Sequence, residues 1–374
     1  MDATRTTDNS TVIKYIGSKR LLVDQIVSLC GAVAPNGGSV IDLFSGTSRV
    51  GHALKSAGFG VLANDHNSYA HTLAMCYIQA DAPKLIDQAS GIIDELNAIA
   101  SSIPSGTPSG SGNDGFITKT YCLDSRFFHP DNGRRIDAMR THIETLDLFP
   151  ELKAIVLTSL IEAADRVDST TGVQMAYLKA WAPRAHKHIE LRVPNILAHP
   201  TNHPCSAHRL DATDAANTLS ANIAYLDPPY NQHSYLGNYH IWETLVRWDH
   251  PEVYGIACKR IDCRERKSPY NSKVKIAQAF DQLIDSIDTD TLIVSFNDEG
   301  YLAREHIESI LSKRGPLVVL DRDHPRYVGC KIGIHNQAGK KVGKVGKLRN
   351  TEYFFIAGKN AELIGAMDPT LIAA

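Results

Sequence analysis

Between Ser39 and Asp65 the chain follows an order that few folds accommodate. Ser39 to Phe44 is apolar and β-branched, Ser45-Gly46-Thr47 breaks it, Arg49 to Ala57 reads as a helix closed by Gly58, and Gly60 to Ala63 runs into Asn64-Asp65. Strand, glycine turn, helix, strand and acidic residue make the first half of a nucleotide-binding βαβ unit. The glycine lets the backbone approach a ligand, and an acidic side chain about 20 residues on can accept both hydroxyls of a ribose. A dinucleotide would want Gly-x-Gly-x-x-Gly around its pyrophosphate. The run Gly46-Thr47-Ser48-Arg49-Val50-Gly51 lacks the middle glycine, which argues for a ligand without phosphate. Gly339 to Lys344 is one residue short of a P-loop and is followed by Val345.

A second segment carries chemistry. Asp227-Pro228-Pro229-Tyr230 follows directly on the apolar run Ile223 to Leu226. Proline fixes φ and has no N–H, so paired prolines stiffen a turn that presents acceptors at the carboxyl end of a strand, where ligands bind in open α/β sheets. Such a turn suits an adenine amino group. That nitrogen is a poor nucleophile because its lone pair is delocalised into the ring, and acceptors for its N–H groups draw it towards tetrahedral geometry. The Asp227 carboxylate and the Pro228 carbonyl are such acceptors, and Tyr230 offers a face on which a base would stack, worth about 1–3 kcal/mol.

Around these segments, Leu22, Ile26 and Leu29 keep helical spacing up to the turn Ala34 to Gly38. From Asp81 to Leu197 strand signals fade and three helical stretches appear, Leu85 to Ile99, Gly133 to Leu146 and Glu151 to Arg166. Ser101 to Gly112 is rich in Ser, Gly and Pro and reads as a mobile loop. Strands resume at Asn222 to Leu226, Thr291 to Phe296, Pro316 to Leu320, Tyr327 to Ile334 and Glu352 to Ala357. The expected architecture is an α/β, Rossmann-like domain with a mainly parallel sheet and a final antiparallel hairpin around Tyr327 to Ala357. Its catalytic part is residues 12–80 and 198–358, interrupted by a helical insert at 81–197, with tails at 1–11 and 359–374.

Taken together the motifs resemble the Dam-type (class α) adenine-specific DNA methyltransferases. The resemblance begins at Lys14-Tyr15-Ile16-Gly17-Ser18-Lys19 and continues through Asp42 to Gly46, Asn64-Asp65, Phe127 to Asp137, Thr171 to Lys179 and Asp227 to Tyr230. It extends over Asn238-Tyr239-His240, Ser295-Phe296-Asn297 and Arg349 to Tyr353. It implies S-adenosylmethionine as cofactor, with Tyr15 and Lys19 at its methionine end and Gly46 beneath it. Asp65 would lie on the ribose and Asp211-Ala212 near the adenine. Asp42, Phe44 and Thr47 belong to the same cofactor turn, and Asp227, Pro228, Pro229 and Tyr230 form the catalytic set. The insert would be a target recognition domain and the substrate a flipped adenine in double-stranded DNA, with no metal needed. A partner restriction endonuclease is compatible with this reading, and the oligomeric state is open. Ser48-Arg49 departs from the pattern where many relatives carry a further glycine. An RNA adenine methyltransferase, or an inactive DNA-binding relative, would share these motifs.

Charge gives no global pull towards nucleic acid, since the formal net charge is -2 over 374 residues. Contacts must be local. Lys331, Lys340, Lys341, Lys344, Lys347 and Arg349, spaced by glycines, suit either a phosphate-following hairpin or a solvated loop. Arg126, Arg134, Arg135 and Arg140 are the other candidates for facing DNA. The 7 cysteines are scattered with no Cys-x-x-Cys pair, which fits a reducing cytoplasm and neither a disulfide framework nor a zinc module. His186/His188 and His203/His208 lack a third ligand and read as surface residues. No apolar run approaches the roughly 20 residues of a membrane span, and the polar start does not look like a signal peptide.

Overall fold

The computed structural model describes residues 13–108, 110, 112, 114–325 and 349–365. Seven strands form the main sheet: β1 (Ser39–Asp42), β2 (Gly60–Asn64), β3 (Ser206–His208), β4 (Ser220–Leu226), β7 (Asp288–Asn297), β8 (Leu317–Pro325) and β9 (Arg349–Gly358). The remaining pair, β5 (Val253–Tyr254) and β6 (Lys259–Arg260), makes a small separate ribbon. The order across the sheet is β3-β2-β1-β4-β7-β9-β8. β1 pairs in parallel with both β2 and β4, with Asp42 opposite Ala63 on one side and Tyr225 on the other. Only β9 runs against the rest, between β7 and β8.

Both faces are covered, as a parallel sheet requires. Alternation along the strands sends Val40, Val61, Tyr225 and Ile293 to one buried cluster, and Ile41, Ala224, Leu226, Val294 and Phe355 to another. Helices Ile276–Ser286 and Arg304–Leu311 supply Phe280, Leu283 and Ile307 to the second cluster. Chain order reverses between β1 and β4. In such sheets the crevice at that switch point, beyond the carboxyl ends of the strands, is where ligands bind.

The insert is helical, as its patterning predicts: Ala82–Ser102, Pro130–Thr145 and Pro150–Arg166. Prolines at the first turns of these helices set their starts, where the missing N–H costs nothing. Ile93, Ile136 and Ile155 of the insert belong to the same buried cluster as the strand residues Val40 and Ile293. Insert and sheet are therefore welded through one core.

The final antiparallel hairpin is present, and the expectations for the arginines need correction. The hairpin is built from Leu317–Pro325 against Arg349–Gly358, with Pro325 opposite Arg349. The expected strand Tyr327 to Ile334, together with Lys331, Lys340, Lys341, Lys344 and Lys347, lies outside the described residues. Arg134 and Arg135 do not face solvent. Arg134 is buried against Asp114, at 2.9 Å, and Asp131, at 3.4 Å. Arg135 is also buried and donates to the Ala100 and Ile103 carbonyls and to Ser105 Oγ. Arg140 likewise turns inward, to the Leu245 and Val246 carbonyls. These guanidiniums satisfy helix-end and loop carbonyls, which otherwise would be buried without donors. Arg134 and Arg135 thereby hold Pro108, Ile103 and Ser105 of the segment that composition suggests is mobile.

Candidate active site

At the switch point the carboxyl ends of β1, β2 and β4 open on a cleft. The turn after β1 forms its floor. Gly46 has φ +50°, and a Cβ there would sit 3.3 Å from the Tyr15 ring, so only glycine leaves the floor open. Ser48 takes the left-handed conformation, φ 59°, that a glycine would adopt without cost. The residue that departs from the family pattern thus holds a backbone conformation that favours glycine. Gly51 completes the turn: a Cβ at that position would press 3.2 Å from both Asp42 Oδ2 and Val61.

Asp65 closes the turn from β2. One oxygen accepts the Gly46 N–H at 3.1 Å, and the other accepts the Asn67 backbone N–H at 2.9 Å and its side-chain amide at 3.2 Å. Among the described residues Asp42 Oδ2 has no hydrogen-bond partner beyond the Gly51 N–H beside the carboxyl, and Ser45 Oγ and Asn67 Oδ1 have none. Burial, with Asp227 nearby, pushes the Asp42 carboxyl up to about 7. Buried polar atoms left unpaired at the wall of a crevice are what a polar ligand would satisfy.

The expected cofactor residues Tyr15, Lys19, Asp42, Phe44, Gly46, Thr47 and Asp65 all line this cleft. Asp211 and Ala212 do not. Asp211 is exposed and caps the helix Ala212–Thr218 by accepting the Thr213 N–H at 3.0 Å. It stands on the side of Tyr270, whose ring packs edge-on against Phe44.

Asp227 follows β4 and also lines the cleft. Its Oδ1 is held by Lys19 Nζ at 3.1 Å and by Ser295 Oγ at 3.3 Å, while Oδ2 has no hydrogen-bond partner among the described residues. Lys19 is itself buried and shared with Glu352 of β9. Burial pulls the Lys19 ammonium pKa down, but Asp227 and Glu352 outweigh it and hold the pKa well above its ordinary value. Burial raises the Asp227 carboxyl to about 6, Lys19 opposing the rise and Glu352 adding to it. Pro229 lines the cleft, whereas Pro228 is buried. Tyr230 stands just beyond, tilted 5.3 Å from Phe296, with its hydroxyl accepting the Asn297 amide at 2.9 Å.

Sequence reasoning assigned no role to several of these neighbours. Ser295, Asn297 and Glu352 lie in segments that resemble the family, but only the antiparallel register, Asn297 opposite Glu352, brings them behind the turn Asp227 to Tyr230. Tyr235 stacks on Tyr15 with centroids 5.1 Å apart, and Tyr239 stacks on Tyr15's other face at 4.5 Å. Tyr239 also accepts the Ile16 N–H through its hydroxyl at 2.6 Å. The aromatic wall fixes the start of the described chain over the cleft.

A family model for the D12 class N6 adenine-specific DNA methyltransferases matches residues 15–310, from Tyr15 past the turn Asp227 to Tyr230 and on to the helix after β7. The chain belongs to that family. It is 31% identical over 315 residues to the Type II methyltransferase M.FokI of Planomicrobium okeanokoites, covering 81% of this chain and 47% of M.FokI. Modification methylase StsI of Streptococcus sanguinis is 30% identical, over 80% of this chain and 46% of its own. The chain therefore spans about half the length of those two relatives. Type II methyltransferase M.NlaIII of Neisseria lactamica is 28% identical over 336 residues, covering 87% of this chain and 95% of M.NlaIII.

Proposed function

We propose that this chain transfers the methyl group of S-adenosylmethionine to the N6 amino group of an adenine turned out of duplex DNA. It would act in the cytoplasm, either as the modification partner of a restriction endonuclease or as a methylase working alone. The observation that carries the proposal is Asp227: one carboxylate oxygen is clamped by Lys19 and Ser295, and the other has no hydrogen-bond partner among the described residues, in a cleft suited to a nucleoside. The names of M.FokI and M.NlaIII as Type II methyltransferases support it.

The cleft fits the donor. Asp65 and Asn67 would hold a ribose, the open floor at Gly46 would pass beneath it, and the buried Asp42 carboxyl suits its positive charge. When bound, S-adenosylmethionine supplies an electrophilic methyl on a sulfonium. Asp227 Oδ2 and the Pro228 carbonyl accept the adenine N–H groups and concentrate the lone pair on nitrogen. Lys19 fixes the orientation of the carboxylate and favours its charged form. Tyr230, oriented by Asn297, offers the ring face for the base. After attack the alkylated nitrogen is acidic, and its proton leaves to water.

Residues 81–197 would read the target. On that segment Arg126 lies 4.6 Å over the ring of Trp181, and its Nη1 donates to the Lys179 carbonyl. With exposed Lys179 and Lys187 nearby in sequence this is a basic, aromatic surface suited to DNA.

Sequencing DNA from a methylation-deficient host that expresses the chain should show methyladenine at one recurring motif, absent with Asp227→Ala. Donor affinity of that variant should stay close to that of the unaltered chain, because the carboxylate acts on the base. Equal loss of donor binding would count against the assignment, and transfer to structured RNA alone would move the substrate. The Asp227 carboxyl must be ionised to accept, so kcat/KM should fall as pH drops through about 6.

A further inference from the structure

A small second cavity adjoins the cleft and shares His66, Asn67, Pro229 and Tyr235 with it. Its chemistry is different. Three carboxylates line the first cleft, Asp42, Asp65 and Asp227, whereas none lines the second, which is completed by groups such as Arg266, Ser268 and Asn271. The Arg266 guanidinium is fixed by Glu243, 3.1 Å away and fully buried, and by the His66 carbonyl at 3.1 Å. Ser268 Oγ accepts the Tyr270 N–H, which leaves its own O–H to donate.

The surrounding segment is basic in a chain that is not. From Arg264 to Lys275 there are Arg264, Arg266, Lys267, Lys273 and Lys275 against Glu265 alone. Lys267, Lys273 and Lys275 are exposed and form no ion pair among the described residues. The segment is also latched to the catalytic turn. Asn271 Nδ2 donates to the carbonyls of Asn231, at 2.7 Å, and His233, at 3.1 Å, in the stretch that follows Tyr230. A ligand held here therefore sits in fixed register with Asp227.

We propose that this cavity and the rim from Arg264 to Lys275 seat a DNA backbone phosphate next to the nucleotide whose base enters the cleft. The inference rests on the DNA-methylation reading and adds the surface that grips the substrate strand. Donors held in place suit a phosphodiester, even with Glu243 sharing the Arg266 charge, and the exposed lysines of the same segment extend the positive field along the strand. Asn271, with both amide hydrogens engaged, acts as the latch and not as a phosphate ligand.

The test is the salt dependence of binding to a labelled duplex oligonucleotide, using the full chain and a Lys267→Gln/Lys273→Gln/Lys275→Gln variant. Each phosphate contact removed should make the slope of log K against log salt shallower by about 0.9, with affinity at low salt down about tenfold or more. Lys359→Gln, near the amino end of β7 where the Lys359 N–H meets the Asp290 carbonyl, should leave the slope alone. S-adenosylmethionine affinity of the triple variant should match that of the unaltered chain, which separates loss of the rim from loss of the fold. An unchanged slope and affinity in the triple variant would overturn the phosphate seat while leaving the DNA reading intact. Absence of duplex binding by the unaltered chain would overturn both.

Discussion

The carboxyl of Asp42 shows what single residues contribute to this site. Its pKa of about 7 arises first from burial and then from Asp227, with the Gly51 N–H opposing the rise. A carboxyl raised above its unfolded value, near 4, binds its proton more tightly in the folded chain. Ionised Asp42 thus destabilises the fold. The cost begins as pH rises past about 4, grows until about 7 and is constant above. Asp42→Asn should gain about 1–3 kcal/mol in urea unfolding at pH 8 and nothing at pH 4, measured without ligand. The same variant should bind the methyl donor less tightly, a trade of stability for function. At this scale the sequence was legible where one residue dictates chemistry. Asp227, Gly46 and Asp65 announce themselves by neighbours along the chain. Glu352 and Ser295 do not, because their meaning comes from a strand register between segments far apart.

Among elements, the strand and helix periods locate β1, β2, β4 and the three long insert helices to within a few residues. Their apolar positions repeat every two or about every 3.6 residues. The three-residue strand β3, Ser206–His208, was missed because so short a run at the sheet edge has little pattern to show. Charge was the misleading signal. Arginine usually means surface, yet the helix Pro130–Thr145 turns Arg134, Arg135 and Arg140 into the protein, where carbonyls and carboxylates lack other donors. Arg135→Ala should cost about 2–4 kcal/mol in stability by leaving the Ala100 and Ile103 carbonyls and Ser105 unpaired. Its DNA-binding salt slope should be unchanged. A slope reduced with stability intact would return this arginine to the DNA surface.

For the molecule as a whole, the single cluster that joins insert helices to the sheet predicts one cooperative transition. Trp181 lies in the insert segment, whereas Trp242 and Trp248 follow the catalytic turn. Urea unfolding followed by tryptophan fluorescence and by far-ultraviolet circular dichroism should therefore give coincident midpoints. Separated midpoints would mean that the insert unfolds by itself. Composition could not reveal this unity, since a helical segment between two halves of a sheet reads equally well as an independent domain or as part of the same body.

That shared core limits how such an enzyme could be re-targeted. Were the insert a free-standing reader, a foreign one might be grafted in its place at two peptide joints. Here a transplant would also have to match the helices Ser68–Ala74, Met75–Gln79 and His240–Arg247, against which Pro150–Arg166 packs within the shared cluster, and a misfit of even one methylene is felt in close-packed interiors. With residues 81–197 as the proposed reader, new sequence preference is better sought by varying exposed positions on the resident helices and loops, leaving the buried seam untouched.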